Sequence, residues 1–266
     1  MIDVIRQQLK AEMTDRQKEN MTREFLQILC LKLMHDKKMF EDVAFLGGTL
    51  LRLLFDMRRF SEDLDFSLIR PGDYAIAQVA DELVAALRLY GFSVEAKVRM
   101  NGAVQSCLLK FEGLLKELGL SPLKSQKLSI KIDVDTRPPD GWTLSRTLVS
   151  KTFVFTVTHY DQPSLFAGKL HACFYRTYTK GRDFYDLFWY LGKKVRPNFL
   201  LLNNAVRQTQ GIDAGINEGN WKYFLLEKVK NVDMIDARED VRLFLEDDNE
   251  LRLFDAGILS DAIKGG

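Results

Sequence analysis

The apolar pattern changes period twice between Phe45 and Leu68, FLGGTLLRLLFDMRRFSEDLDFSL, so this short stretch must hold parts of two strands and a helix. Ala44 to Leu46 reads as the end of a buried strand, and Gly47-Gly48 breaks it. Thr49 to Met57 reads as a helix with Leu50, Leu51, Leu53, Leu54 and Phe55 on its apolar face. After Arg58 and Arg59, the run Asp63-Leu64-Asp65-Phe66-Ser67-Leu68 alternates as a half-buried strand does.

That geometry offers specific chemistry. Residues i and i+2 of a strand share a face, so Asp63 and Asp65 project together. Two carboxylates held close repel each other, and each rises in pKa unless a cation lies between them. Mg²⁺ suits such a pair, because it prefers hard oxygen ligands and arrives with substrate phosphates. The Gly47-Gly48-Thr49 turn opens a helix whose free N–H groups, Thr49 hydroxyl and dipole suit an anion such as phosphate. A phosphate cradle beside a metal-holding carboxylate pair is a layout for phosphoryl or nucleotidyl transfer. A lone Gly-Gly is usually a turn and a lone Asp-x-Asp usually a solvated strand end. Their order here, strand–GG–helix–DxD–strand, favours the chemical reading.

The same stretch resembles the first motif of the AbiEii-type nucleotidyltransferases, a group named for a phage-defence toxin that includes the MenT toxins. Its pattern runs G-G-T-x-L-R, a spacer, then R-F-S-x-D-x-D-F. Gly47, Gly48, Thr49, Leu51, Arg52, Arg59, Phe60, Ser61, Asp63, Leu64, Asp65 and Phe66 fill it. The resemblance implies that Asp63 and Asp65 hold Mg²⁺, with Mn²⁺ an alternative. It implies that Gly47, Gly48, Thr49, Arg59 and Ser61 face an NTP.

Whole-chain properties set the frame. The 266 residues are 46% hydrophobic and 28% charged, as in globular proteins. The net charge of +1 provides no global basic field, so any nucleic-acid contact must be a local patch. Cys30, Cys107 and Cys173 are scattered and lack metal-ligand spacing; they read as reduced core thiols of a cytoplasmic protein. No stretch reaches the ~18 apolar residues of a membrane span.

Residues 2–15 and 21–39 carry helix-period apolar positions, the second with Thr22 or Asn20 as cap. Beyond the motif, Pro71-Gly72 reads as a turn and Asp73 as the cap of a helix to about Tyr90, stopped by Gly91. Phe92 to Arg99 and Ala103 to Phe111 form a hairpin about Asn101-Gly102. Lys127 to Asp135, KLSIKIDVD, alternates again, with Leu128, Ile130, Ile132 and Val134 opposite Ser129, Lys131, Asp133 and Asp135. In nucleotidyltransferase folds a neighbouring strand supplies a third acidic residue. The resemblance points first to Asp133, and Asp135 on the same face stays open. Trp142 to Val149 reads as irregular, and Thr152 to Thr158 as a strand.

From Ser164 onward the pattern is helical, and a boundary is expected near residue 160. KLHACFYRTYTKGRDFYDLFWYL, Lys169 to Leu191, reads as two helices about Thr179-Lys180-Gly181. K-L-x-A followed by R-D-x-Y-D-L again resembles the AbiEii family. There the lysine contacts the triphosphate, which implies Lys169 here, beside Arg182 and Asp183. The acidic role falls to Asp186 or Asp183, which spacing does not separate. Lys193, Lys194 and Arg196, with Arg176, Lys180 and Arg182, could form a basic patch for RNA. Helices are expected over 197–207, after Asn220, over 236–246 and over 255–263.

The expected architecture is α+β: a nucleotidyltransferase-like mixed sheet with flanking helices over residues 1–160, and a helical lobe over 161–266. The expected activity is Mg²⁺-dependent nucleotidyl transfer through Asp63, Asp65, Asp133, Lys169 and Asp186. The resemblance implies the toxin of a toxin–antitoxin or phage-defence pair, with a cognate antitoxin and tRNA as acceptor. Rival readings are a small-molecule or protein-hydroxyl acceptor, a non-catalytic binding module of the same fold, and a metal-dependent nuclease.

Overall fold

The computed structural model describes residues 1–266 except Pro71, Asp73 and Gly266. The Pro71 turn and the Asp73 cap therefore lie outside the described residues. The elements are α1 (Ile2–Gln8), α2 (Asp15–Asp36), β1 (Val43–Leu46), α3 (Gly47–Phe55), β2 (Asp63–Leu68), α4 (Ile76–Leu89), β3 (Val94–Arg99), β4 (Val104–Phe111), α5 (Leu114–Glu117), β5 (Leu128–Asp135), β6 (Leu144–Ser150) and β7 (Val154–Tyr160). Six helices follow: α6 (Gln162–Tyr175), α7 (Gly181–Gly192), α8 (Phe199–Gln210), α9 (Trp221–Lys230), α10 (Met234–Arg242) and α11 (Ala256–Gly265).

The chain divides into two compact units. The first comprises residues 1–56, 60–137 and 146–159; the second comprises 57–59, 138–145 and 160–266. The chain thus enters the second unit for Met57 to Arg59 alone and returns to the first at Phe60.

The first unit is built on a seven-stranded mixed sheet in the order β3-β4-β5-β2-β1-β7-β6. Antiparallel pairs join β3 to β4, β4 to β5 and β1 to β2; parallel pairs join β2 to β5 and β1 to β7. Alternation fixes which face is covered. On β5, Leu128, Ile130, Ile132 and Val134 are buried, while Ser129, Lys131, Asp133 and Asp135 are half-exposed. Helix α2 packs on β5, and α4 packs on β3 and β4 through Ile76, Val79, Ala80, Leu83 and Leu87. Helix α2 starts earlier than the apolar period suggested. Thr14 and Gln17 form a reciprocal capping box there, ahead of the predicted Thr22 or Asn20. Leu144 to Ser150 is also a strand, where irregular chain was expected.

In the second unit, Asp161 caps α6, with Pro163 in its first turn. Phe166 stacks on Tyr190 of α7 at 4.5 Å between centroids, and Trp221 of α9 meets Phe166 edge-on. Helices α7 and α10 touch at Gly181, where an added Cβ would lie 1.9 Å from the Ala237 carbonyl oxygen. Cys30, Cys107 and Cys173 are buried and unpaired. Among the described residues no helix is long and apolar enough to cross a membrane. Replacing Gly181 with Ala should destabilise the protein by about 1–3 kcal/mol, the range for overpacking a filled site, read as a lower urea midpoint at unchanged slope.

Candidate active site

The carboxylates of the first unit are assembled by strand register. In the parallel pair, Asp63 stands level with Lys131, Asp65 with Asp133, and Ser67 with Asp135. Level residues on neighbouring strands share a face. Asp63, Asp65 and Asp133 therefore occupy one polar patch of the sheet. Asp135 lies one step further along, and its carboxylate accepts the Arg137 main-chain N–H. Burial raises its pKa.

Lys131 stands among these groups. Its ammonium donates to Asp133 Oδ2 and feels the charges of Asp63 and Asp65. Burial pushes its pKa down, but the three carboxylates outweigh burial and raise it. The other oxygen of Asp133, Oδ1, is buried with no hydrogen-bond partner.

The helix beside this patch is held close. Gly47 begins α3 with φ +83°, a left-handed conformation, and an added Cβ would fall 2.2 Å from Asp65 Oδ2. The first-turn N–H groups of α3 have no intrahelical partner by helix geometry. Thr49 is reassigned. Its side chain is buried and its hydroxyl donates to the Asp63 carbonyl, so it joins helix to strand and offers no hydroxyl to phosphate. Arg52 pairs with Glu24 of α2 at 2.5 Å and lies 4.4 Å over the Phe60 ring. Gln27 of α2 donates to the Ser61 carbonyl. The Arg52 contacts explain why arginine and phenylalanine accompany the glycines and carboxylates.

The charged residues of the second unit form a buried network. Arg59 makes a two-point bond to Asp186, Nε to Oδ1 at 2.6 Å and Nη2 to Oδ2 at 2.7 Å. Lys169 Nζ lies 2.8 Å from both Asp183 Oδ1 and Asp186 Oδ2. Arg176 Nε lies 3.0 Å from Asp183 Oδ2, but that oxygen has no aligned donor, so the contact is a charge pair without a hydrogen bond. Burial pushes Asp186 upward, yet Arg59 and Lys169 outweigh it and hold its pKa below the ordinary value. Asp183 is lowered in the same way by Lys169 and Arg176. Lys169 is raised, the two carboxylates outweighing burial.

Arg59 and Arg182, expected beside the nucleotide, each have partners within the protein. The Arg59 side chain is 3% exposed and committed to Asp186. Arg182 lies 4.0 Å over the Phe244 ring, with Asp240 Oδ2 3.6 Å from its Nε. Both serve packing. Asp186 carries two cations and is fully buried; Asp183 borders a cleft of about 170 Å³. That cleft is also lined by Arg176, Tyr178, Lys180, Lys228 and Asn231. Sequence reasoning missed Lys228, in the last turn of α9, and the place of Lys131, which alternation alone marks as surface.

The carboxylate patch matches a hard divalent ion in donor chemistry. It offers oxygens from two strands, a buried orphan oxygen on Asp133, and a glycine that leaves room at Asp65. Among the described residues no three acidic, histidine or cysteine side chains form a ready metal-holding group. The Lys131 ammonium stands among the same oxygens.

A family model described as "Nucleotidyl transferase AbiEii toxin, Type IV TA system" matches residues 31–257. No curated protein matches the sequence. The fold is similar to the crystal structure of JHP933 from Helicobacter pylori: TM-score 0.54, 17% identity, 92% of each chain covered. It is also similar to an H. pylori protein provisionally assigned as a nucleotidyltransferase: TM-score 0.52, 19% identity, 90% of this chain and 94% of that one.

Two outcomes follow from the buried network. Arg59→Met should cost about 3–5 kcal/mol in urea unfolding at neutral pH, since it strips a buried carboxylate of its main partner. The depressed pKa values of Asp183 and Asp186 stabilise the fold above the unfolded aspartate value of about 4. That stabilisation is lost as pH falls below it, so the wild-type unfolding midpoint should drop steeply there and the Arg59→Met midpoint less so.

Proposed function

The chain belongs to the AbiEii family of nucleotidyl transferase toxins, and from that membership we propose that it transfers a nucleoside monophosphate from an NTP to an RNA acceptor, with Mg²⁺ as its metal. The observation that carries this reading is the register of β2 and β5, which sets Asp65 beside Asp133 with Asp63 on the same face. Asp63, Asp65 and Asp133 are the residues that would hold the ion. Asp133 is preferred to Asp135 because it is level with Asp65. The chemistry such an ion supplies is activation of the acceptor hydroxyl and neutralisation of the leaving pyrophosphate.

The rest of the reading assigns work to the chain itself. The N–H groups of Gly47, Gly48 and Thr49 bind a phosphate oxygen at the start of α3. Gly47 keeps Asp65 within reach of that phosphate. Lys169 stays protonated throughout the physiological range and serves as a fixed positive charge, positioned by Asp183 and Asp186. The cleft beside Asp183 is the preferred RNA contact. Arg176, Lys180 and Lys228 outnumber the one carboxylate there, and the exposed Tyr178 ring offers a base a surface to stack on. The acceptor is tRNA, the partner a cognate antitoxin, the setting bacterial cytoplasm and the biological role phage defence.

The test is label transfer from each of the four NTPs to total RNA in the presence of Mg²⁺ or Mn²⁺. One NTP should label a tRNA-sized band, and Asp63→Asn and Asp65→Asn should abolish the label without loss of fold. Label on a small molecule or protein would replace the acceptor; no label from any NTP would end the enzymatic reading. Gly47→Ala should reduce transfer by about 100-fold, the scale expected when a reacting group is displaced by an ångström, because its Cβ collides with Asp65.

A further inference from the structure

Three carboxylates on one sheet face need a counter-charge, and the chain supplies one of its own. Lys131 is two residues from Asp133 on the same strand and level with Asp63 on the next. Its ammonium donates to Asp133 Oδ2 and lies within the field of Asp63 and Asp65. Its side chain is 42% exposed, so it rests on the patch and is not locked beneath it. Asp133 Oδ1 meanwhile has no partner at all. One carboxylate is thus held by its lysine on one side and left unsatisfied on the other. A divalent ion held by the Asp133 carboxylate would compete directly with the ammonium for it.

We propose that Lys131 is a resident counter-ion of the carboxylate patch, displaced from Asp133 when a divalent ion enters, and that the released ammonium then pairs with the phosphates of the incoming nucleotide. This rests on the metal-site reading given above and adds a coupling to it. Without nucleotide, the ion must expel a hydrogen-bonded ammonium into water. With nucleotide present, the expelled ammonium gains an anion. Metal and nucleotide therefore assist each other, each raising the other's affinity by the same factor. The long flexible stem and point charge of lysine suit such a move, whereas arginine would hold a carboxylate in a two-point grip.

The experiment is Mn²⁺ titration by calorimetry or electron paramagnetic resonance, with and without a non-hydrolysable NTP. The variants are Lys131→Met, Lys131→Gln, Lys110→Met and the Asp63→Asn/Asp65→Asn pair, each checked for native circular dichroism. Lys110 lies on β4 level with Ser129, so its loss removes a similar charge from the same face without touching a carboxylate of the patch. Wild type should bind Mn²⁺ roughly 10-fold more tightly when nucleotide is present, within the usual range of coupling between sites. Lys131→Met and Lys131→Gln should bind Mn²⁺ alone roughly 10-fold more tightly than wild type, and should lose most of the nucleotide-dependent gain. Lys110→Met should behave as wild type. Unchanged or weaker Mn²⁺ binding in both Lys131 variants, or an equal gain in Lys110→Met, overturns the proposal. Mn²⁺ binding that survives in Asp63→Asn/Asp65→Asn overturns the metal-site reading instead, so the two failures are distinguishable.

Discussion

The parallel pairing of β2 with β5 is the constraint on which the site depends. It brings together carboxylates from segments about sixty residues apart in the chain and sets them level. Such an arrangement works against itself: two unit charges at about 4 Å and an effective dielectric of ~20 repel by roughly 4 kcal/mol. The opposite face decides the outcome. Leu64 and Phe66 of β2, and Ile130, Ile132 and Val134 of β5, are all almost completely buried. Each is worth about 1.5–3 kcal/mol of burial. A slip of one residue would exchange the faces, exposing the apolar set and burying the acids. Lys131 lowers the remaining repulsion within the patch. The register is therefore fixed by apolar residues that never meet a substrate.

The frame around the patch follows the same logic. Helix α3 can begin where it does because Gly47 accepts a left-handed conformation and carries no side chain to strike Asp65. Thr49 then ties the helix to the carbonyl of Asp63, and Arg52 ties it to Glu24 on α2. In the second unit, α6 and α7 are joined by Lys169, which bridges two carboxylates three residues apart, and Arg59 closes the network from a three-residue excursion of the chain. Charges this deep are weak evidence for stability, because desolvation cancels much of their attraction. What they supply is definition: Asp186 has two cationic partners at fixed angles, and any rotation of α7 breaks both.

Much of this was legible in the sequence because period alone carried it. Alternation in Asp63–Leu68 and Leu128–Asp135 identified both strands and the shared face of their carboxylates. Helical spacing identified α4, α6 and α7. The pairing of β2 with β5 was not legible, since period 2 says which face a residue takes and nothing of which strand lies beside it. That pairing sets Asp133 level with Asp65 and Asp135 level with Ser67. Strand β6 escaped because it borders the sheet with most of its side chains exposed, so its pattern carries no clear apolar face. The start of α2 escaped because its first turns are polar and are fixed by a cap. Arg59 and Arg182 show a further limit. Sequence records a charge but not its direction, and both guanidiniums turn inward, one to Asp186 and one to Phe244.

The charges of the two units are sorted by sign. In the first, Asp63, Asp65 and Asp133 share one sheet face with the Lys131 ammonium. In the second, Arg59, Lys169 and Arg176 face Asp183 and Asp186, and Lys180 and Lys228 add two more cations at the adjoining cleft. A net charge of +1 over 266 residues balances 38 basic against 37 acidic side chains and so conceals how charge is grouped within each unit.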